Sequence, residues 1–186
     1  MKDLETYVYT HLKDELDIIR RDFQNVLPEL SDEAKTIIYK YTDEDDAFNI
    51  HVNKALRTHN SLLKNAFAKH LNKVLQQCSH YKGVVYRGTF LSRIDLERYR
   101  NAFENKTILI EPSFLSASLS MGIAKTYGDI LFEIFGKTCT LIEKISKFGT
   151  QSVGNEREAL FQAGTAFNVL NISKQGNYTI ITLREV

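Results

Sequence analysis

The chain has 186 residues, of which 43% are hydrophobic and 25% charged, with nine glycines and two prolines. This composition suits one ordinary globular domain with a sizeable core, and it excludes collagen-like, disordered and linker-rich chains. Because 24 basic residues face 23 acidic ones, the net charge is +1, and no overall field favours nucleic acid or an anionic membrane. A nucleic-acid partner would therefore need a local basic patch, and we do not expect one; nor do we expect insertion into a membrane, since a long apolar run is lacking.

The N-terminus resembles neither a signal peptide nor a membrane anchor. Its first residues, MKDLETYVYTHLKDELDII, carry acids among the apolar positions, whereas a Sec signal has an uninterrupted apolar core. No apolar run in the sequence reaches the ~18 residues that a membrane-spanning helix needs. If the chain is exported, we expect it to use another route.

The first third of the chain has helical periodicity. Residues 1–23 repeat apolar side chains every three or four positions, and Ser31 before Glu33 is typical of a helix start. His70 lies beside the clearest apolar stripe and is predicted to be structural. That stripe falls in residues 61–77 and consists of Leu62, Leu63, Ala66, Phe67, Leu71, Val74 and Leu75. The basic residues of these helices are predicted to be solvated: Lys54, Arg57, Lys64, Lys69 and Lys73.

The pattern changes at Gly83. A short β-type run, GVVYRG, precedes a helical segment, SRIDLERYRNAFENK, for which Ser92 is the expected N-cap, and TILI is extended again. After Pro112 come a strand-like stretch, SFLSASLS, and a short helix through MGIAKTYG. From Ile130 onward the pattern predicts one strand after another: ILFEIF, CTLIEKI, EREALF, TAFNVLNI and YTIITL.

This order of elements predicts an α+β fold. Helices fill the front of the chain and strands the back, which differs from the regular alternation of a doubly wound parallel sheet. We predict a single domain over residues 1–186, with a helical part at 1–80 that supports the fold and a mainly β part at 83–186.

The two cysteines, Cys78 and Cys139, lie in no CxxC motif and in no Cys/His cluster. Their spacing predicts two buried free thiols and does not support a disulfide framework. We also expect no metal site.

Two glutamates in the segment EREALF are the first candidates for chemistry. Side chains alternate along a strand, so Glu156 and Glu158 are predicted to share one face while Arg157, Ala159 and Phe161 take the other. Two such acids exposed to solvent would merely repel each other weakly. The motif therefore indicates a site only in combination with others.

Two further segments supply complementary groups. In VVYRGTF, Arg87 ends an apolar strand, and Gly88 after it allows a ligand to approach the backbone closely. In SFLSASLS, alternation places Phe114, Ser116 and Ser118 on one face. A guanidinium suited to phosphate, an aromatic ring, hydroxyls and a carboxylate pair together suit a charged dinucleotide.

With these motifs the sequence resembles the arginine-specific mono-ADP-ribosyltransferases, particularly their bacterial toxin and effector branch. The resemblance rests on an Arg, a Ser-x-Ser and a Glu-x-Glu motif in that order and covers residues 83–172. The segments SASLSMGIAKTYG, with an alanine and an aromatic after the serines, and EREALFQAGTAFNVL extend it. The resemblance implies an ADP-ribosyltransferase-like split β-sandwich with an N-terminal helical region, and NAD as co-substrate.

The resemblance also implies a role for each residue around NAD. Arg87 would hold the pyrophosphate, the Gly88 backbone would bind the nicotinamide carboxamide, and Phe114 would help to pack the nicotinamide. Ser116 would orient Glu158, which would bind the nicotinamide ribose and stabilise its developing positive charge. Glu156 would position the incoming guanidinium of a target protein. Ser118 is expected to belong to the cofactor site.

A loop at residues 146–155 is expected to present the carboxylate pair. In that loop Phe148 is a candidate contact for the target protein, although packing of its ring on the sheet is an equally simple interpretation. Ala117 departs from the family pattern, in which many members have a hydroxyl residue between the serines. Since its side chain should point away from Ser116 and Ser118, we expect little consequence.

Two other functions fit the same motifs. An NAD glycohydrolase would use water in place of the arginine acceptor, and a non-catalytic interaction module would keep only the fold. Glutamate rather than glutamine at position 156 favours a guanidinium acceptor, because a cation needs a negative partner. We expect the protein to act in a cytosol, including that of a host after non-classical secretion or injection.

Overall fold

The structure is a computed structural model, and it describes residues 2–43, 47–59, 65–149 and 155–186. The chain forms two compact units. The first comprises Met1–Ser79 and Ile142–Asn155, and the second comprises His80–Leu141 and Glu156–Val186. The change from helix to strand near residue 80 was predicted, but the membership of 142–155 in the helical unit was not. Organisation as a single domain stays a prediction.

The first unit is helical, as predicted. The helix predicted over residues 1–23 is in fact two, because Leu12 leaves the helical conformation with φ −135° and becomes the N-cap of the second. Its side chain is buried with those of Val8 and Leu16. The helices are α1 (Lys2–His11), α2 (Lys13–Asp22), α3 (Asp32–Tyr41), α4 (Phe48–His59) and α5 (Ala66–Gln77).

Two helix starts in this unit have polar caps. The Ser31 hydroxyl accepts a hydrogen bond from the Ala34 N–H at 3.2 Å, which confirms the predicted start of α3. Asn65 caps α5 in the same way, accepting from the Ala68 N–H at 2.9 Å. The apolar stripe of α5 is buried from Phe67 to Leu75. Its predicted first members Leu62 and Leu63, together with Lys64, lie outside the described residues.

His70 is a structural residue, as predicted. The residue is 7% exposed, and its ring centroid lies 4.9 Å from that of Tyr7. Burial lowers the pKa of His70, so the neutral ring is favoured. It packs as an aromatic side chain of the helical unit.

Contacts with the end of α3 explain why residues 142–149 belong to the helical unit. The Lys147 N–H donates to the Thr42 hydroxyl at 2.9 Å, and the Lys147 ammonium pairs with the Asp43 carboxylate at 2.7 Å. Ile142 and Ile145, a few residues before Lys147 in the chain, are buried. The prediction of a strand CTLIEKI is therefore wrong beyond Leu141, where the chain leaves the sheet.

The second unit is built on one mixed sheet. Seven strands follow the order β1-β3-β5-β4-β7-β6-β2, and β1 also pairs with β4, so β1, β3, β5 and β4 form a ring of paired strands. Only β4 and β7 run parallel among the described pairs. The strands are β1 (Tyr81–Thr89), β2 (Leu109–Ile110), β3 (Leu115–Ser118), β4 (Ile130–Leu141), β5 (Glu158–Phe161), β6 (Ala166–Gln175) and β7 (Tyr178–Glu185).

The shared strand β4 divides the sheet. Its first half pairs with both β1 and β7, whereas its end, Thr140 and Leu141, pairs with β5. ILFEIF and the first residues of CTLIEKI are thus one continuous strand, where the sequence predicted two. The register of β4 with β1 shifts between Gly136 and Cys139. The Glu185 carboxylate accepts from the N–H groups of Lys137 and Thr138, which lie within this shift.

Two helices complete the second unit. The helix α6 (Arg93–Asn105) begins at Ser92, whose hydroxyl accepts from the Asp95 N–H as predicted, and it buries Tyr99 and Ala102. The short helix α7 (Met121–Ala124) continues into a 3₁₀ turn, Lys125–Tyr127. The sheet core includes Val85, Leu115, Ala117, Ile130, Phe132, Ile134, Ala159, Phe161, Phe167, Ile181 and Leu183. The α+β class is therefore confirmed.

The thiols differ from the prediction in one case. Cys139 is buried, but Cys78 is only partly so. Burial raises the pKa of both, to about 12 for Cys139 and about 11 for Cys78, which keeps them as neutral thiols. In the described ranges no helix is both long and apolar enough to cross a membrane.

Candidate active site

The adjacent strands β3 and β5 bring a serine and a glutamate together. They pair antiparallel with Ser118 opposite Glu158 and Ser116 opposite Leu160, so Ser116, Ser118 and Glu158 share one face. Ala117 and Ala159 point to the other face, into the core. The Ser116 hydroxyl reaches diagonally across the pair and donates to Glu158 Oε1 at 2.7 Å.

Glu158 is a buried acid at the start of its strand. Only 7% of the residue is exposed, so most of its hydration has been lost. A buried carboxylate needs hydrogen-bond donors, and the Ser116 hydroxyl is one of them. This arrangement fixes the direction of the carboxylate before any ligand arrives.

The position of Glu156 corrects the sequence prediction. The strand begins at Glu158, and Arg157 has a left-handed backbone with φ +49°, so the alternation predicted for EREALF does not extend back to Glu156. Ala159 and Phe161 do point to the core face, but Arg157 is an exposed residue ahead of the strand. A strand prediction could not anticipate this turn, because a non-glycine residue rarely has positive φ.

Two residues hold Glu156: Ser118, the last residue of β3, and Tyr127, which follows that strand in the chain. The Tyr127 hydroxyl donates to Glu156 Oε1. The Ser118 hydroxyl donates to the Glu156 carbonyl oxygen at 2.6 Å and accepts from the Ser120 N–H at 3.0 Å. The Leu119 N–H also donates to the Arg157 carbonyl oxygen. The two acids are therefore neighbours through a shaped turn and not through strand alternation.

Arg87 lies beside Ser116. Its Nη1 donates to the Ser116 carbonyl oxygen at 2.6 Å, across the pairing of β1 with β3. Ser116 thus orients Glu158 with its side chain and Arg87 with its backbone. A partly buried guanidinium held in this way is suited to an anionic ligand.

Packing requires glycine at position 88, which the sequence did not indicate. A Cβ at this position would lie 1.7 Å from the Ala124 carbonyl oxygen, so only glycine lets α7 lie against β1. Gly128 has a similar reason, since a Cβ there would lie 2.2 Å from the Thr89 carbonyl group. A backbone contact from Gly88 to a ligand stays a prediction.

The two predicted aromatic residues differ in exposure. Phe114 is 1% exposed, so its ring lies within the protein and is not presented to solvent. Phe148 is half-buried in the helical unit, and its N–H donates to the Ser146 hydroxyl at 3.3 Å. Residues 150–154 of the predicted loop lie outside the described residues. The proposed contacts of both rings stay predictions.

Tyr127 is the site residue that the sequence reasoning did not select. An aromatic after the serines was part of the family resemblance, but its hydroxyl carried no prediction. The signal could have been found in the spacing, because a short helix after β3 returns the chain toward the end of that strand.

Within the described ranges no group of three or more His, Cys, Asp or Glu side chains could hold a metal ion. Independence from metal stays a prediction.

The ringed sheet and its Arg, Ser-x-Ser and Glu-x-Glu residues define an ADP-ribosyltransferase type of fold and site. The family model described as ART, NAD:arginine ADP-ribosyltransferase, matches residues 8–186, and the chain belongs to this family. It is 30% identical over 161 residues to the NAD(+)–protein-arginine ADP-ribosyltransferase Tre1 of Serratia proteamaculans, which covers 84% of this chain and 33% of that protein. The chain spans 14% and 49% of two further relatives.

Solved structures confirm the predicted fold. The ADP-ribosyltransferase HopU1 of Pseudomonas syringae has a TM-score of 0.76 at 19% identity, covering 94% of this chain and 87% of that one. Exoenzyme S of Pseudomonas aeruginosa, solved with human 14-3-3 protein beta and carba-NAD, has a TM-score of 0.75 at 20% identity, covering 100% of this chain and 88% of that one. These likenesses show the ADP-ribosyltransferase fold.

Proposed function

We propose that the protein transfers ADP-ribose from NAD to an arginine side chain of a target protein and releases nicotinamide. Membership of the arginine ADP-ribosyltransferase family supports this function. The observation that carries it is the hydrogen bond from Ser116 to the buried carboxylate of Glu158, 2.7 Å long. It provides an oriented negative group in a poorly hydrated place, which is what a sugar cation requires.

The residues around Glu158 fit the chemistry of NAD. Its pyrophosphate is an anion, and the Arg87 guanidinium lies on the adjacent strand with one nitrogen fixed by the Ser116 carbonyl. A guanidinium carries five N–H donors, enough to hold a carbonyl and a phosphate oxygen together. We assign Arg87 to the pyrophosphate and Glu158 to the 2′-hydroxyl of the nicotinamide ribose.

The proposed reaction exchanges one bond at the ribose C1′ carbon. The bond from C1′ to the nicotinamide nitrogen breaks, and its electron pair leaves with nicotinamide. Glu158 stabilises the positive charge that develops on the ribose, as carboxylates do in glycoside cleavage. A guanidinium nitrogen of the target arginine then bonds to C1′, and the proton it loses passes to Glu156 or to water.

Glu156 is assigned to the acceptor because it differs from Glu158 in environment. It lies in the turn before β5 and is half-buried, whereas Glu158 is buried. A carboxylate in that position can pair with an incoming cation without being desolvated first. This division gives one acid to bond cleavage and the other to acceptor choice.

Four further residues complete the proposed site. The Gly88 backbone is assigned to the nicotinamide carboxamide, and the buried ring of Phe114 to the support of the nicotinamide pocket from within. Ser118 belongs to the site through its bond to the Glu156 carbonyl, and any contact with NAD would be additional. Phe148 is proposed to contact the target protein.

Since NAD and protein targets meet inside cells, we infer action in a cytosol, as expected for a toxin or effector.

The function is tested by measuring nicotinamide release from NAD with agmatine, an arginine mimic, and with putrescine, which lacks the guanidinium. We expect release that increases with agmatine, together with labelled agmatine as product, and no increase with putrescine. Release that ignores both acceptors would instead identify an NAD glycohydrolase. Absence of release would identify a non-catalytic module.

A further inference from the structure

Glu156 has a second holding contact besides its backbone bond to Ser118. The Tyr127 hydroxyl donates to its carboxylate oxygen Oε1. Tyr127 ends the 3₁₀ turn after α7, and 48% of the residue is exposed. Tyr127 is therefore a partly exposed residue in direct contact with the acid that we assign to the acceptor.

The turn that carries Tyr127 is fixed against β1 on both sides. Ahead of it, the Ala124 carbonyl lies against Gly88, and after it Gly128 lies against the backbone of Thr89. Both contacts are too close for any side chain at the glycine positions. Tyr127 thus lies on a turn that packs closely against β1, and it contacts a residue that lies in another turn.

This support removes freedom that an unheld glutamate would have. A glutamate side chain loses up to about 2 kcal/mol of rotational free energy when it is fixed in one conformation. If Tyr127 and Ser118 fix Glu156 beforehand, the acceptor does not have to order it on binding. The tyrosine bond uses one lone pair of Oε1, and a carboxylate has about four such sites, so two parallel guanidinium N–H groups can still bind.

We propose that Tyr127 is a positioning residue for the acceptor, holding the Glu156 carboxylate in the direction that receives a guanidinium. The proposal rests on the proposed function, because it assumes that Glu156 meets the acceptor. Through this bond, the Tyr127 hydroxyl, and not the ring alone, favours transfer to arginine over hydrolysis of NAD by water.

The test compares Tyr127→Phe with the wild-type protein in two measurements. Agmatine labelling and NAD hydrolysis are measured side by side, and agmatine binding is measured by calorimetry with carba-NAD present. Loss of one hydrogen bond to a charged group should lower the ratio of labelling to hydrolysis about tenfold. The KM for agmatine should rise by a similar factor while the KM for NAD changes less than about twofold.

Tyr9→Phe is the matched control. Tyr9 is 46% exposed and its hydroxyl accepts from the Arg20 guanidinium at 2.6 Å, so the variant removes an equally exposed hydroxyl from a charged partner elsewhere. The ratio of labelling to hydrolysis should not change in it. A double variant, Tyr127→Phe with Glu156→Gln, should label agmatine no less than Glu156→Gln alone, because the hydroxyl acts through that carboxylate.

The outcomes separate this inference from the proposed function. If the wild-type protein labels no agmatine, the proposed function fails, and calorimetry still decides whether Tyr127→Phe weakens agmatine binding. If the wild-type protein labels agmatine but the variant keeps its ratio and its agmatine affinity, the hydroxyl has no positioning role. Additive losses in the double variant would also overturn the proposal.

Discussion

The start of β5 and the turn just before it hold the two acids of the site in contrasting ways. Glu158 lies in the sheet, is 7% exposed and receives the Ser116 hydroxyl from the neighbouring strand. Glu156 lies outside the sheet, is half-buried and is held by Tyr127 and by the Ser118 bond to its backbone. In the function we propose, the sheet thus holds the acid assigned to bond cleavage, while a turn outside the sheet holds the acid assigned to the acceptor.

Removal of the Glu158 charge should have the largest effect. Glu158→Gln keeps the size of the side chain and its ability to accept from Ser116, but loses the negative charge. We expect transfer and hydrolysis to fall together by about 10²–10³-fold, which is typical for one preorganised electrostatic contact. Nicotinamide release measures both reactions, and an unchanged circular dichroism spectrum controls for folding. Hydrolysis at the wild-type rate would remove Glu158 from bond cleavage.

Glu156→Gln tests the acid that we assign to the acceptor. We expect agmatine labelling to fall about 100-fold, since general-base and orienting groups commonly contribute this much, while most NAD hydrolysis remains. Labelled agmatine and free nicotinamide are measured in the same reaction. Should hydrolysis be lost as completely as in Glu158→Gln, the two acids act jointly on the ribose and the division of roles is wrong.

Ser116→Ala should affect the buried acid alone. The variant removes the hydroxyl on Glu158 but keeps the carbonyl that accepts from Arg87, so NAD affinity should change little. A loss of about 10–100-fold in turnover is expected for an orienting hydrogen bond, by analogy with outer-shell ligand contacts. Turnover and NAD binding are measured by kinetics and calorimetry. Full turnover in the variant would show that Glu158 needs no orientation by this serine.

Ser118→Ala should act on the turn. The Glu156 carbonyl and the Ser120 N–H both lose the buried Ser118 hydroxyl as a partner, and each lost hydrogen bond costs about 0.5–1.5 kcal/mol. We expect a lower unfolding midpoint in urea and a few-fold smaller ratio of labelling to hydrolysis. A variant with wild-type stability would show that these groups find other partners.

The sequence predicted more of the sheet than of the turn, for a physical reason. Alternation places Ser116 and Ser118 on one face and Ala117 on the other, and the pairing of β3 with β5 shows this directly. Periodicity also predicted the capped helices at Ser31 and Ser92. Pairing partners cannot be read from a single strand, so neither the ring of strands nor the link from Ser116 to Arg87 could be predicted.

The errors fall where backbone conformation or tertiary contacts override local pattern. Arg157 has positive φ, although arginine is not a residue that favours it, so the strand was extended two residues too far. Residues 142–145 were predicted to be strand as the end of CTLIEKI, but the strand stops at Leu141. Lys147, just after them, contacts Thr42 and Asp43 about a hundred positions earlier in the chain, and the segment groups with the helices instead.

The smallest effect should come from the residue between the two acids. Arg157 adopts φ +49° with an exposed side chain, and its carbonyl accepts from the Leu119 N–H, a bond that any substitution keeps. Left-handed backbone costs an L-residue about 1–2 kcal/mol, whereas glycine avoids that cost and loses about 0.5–1 kcal/mol through its greater freedom when unfolded. Arg157→Gly should therefore stabilise the protein by at most about 1.5 kcal/mol, and Arg157→Val, with a branched Cβ, should destabilise it. Urea unfolding of both variants measures the difference. Equal stability of the valine and glycine variants would mean that residue 157 is extended in the folded protein, and Glu156 would then share the strand face with Glu158.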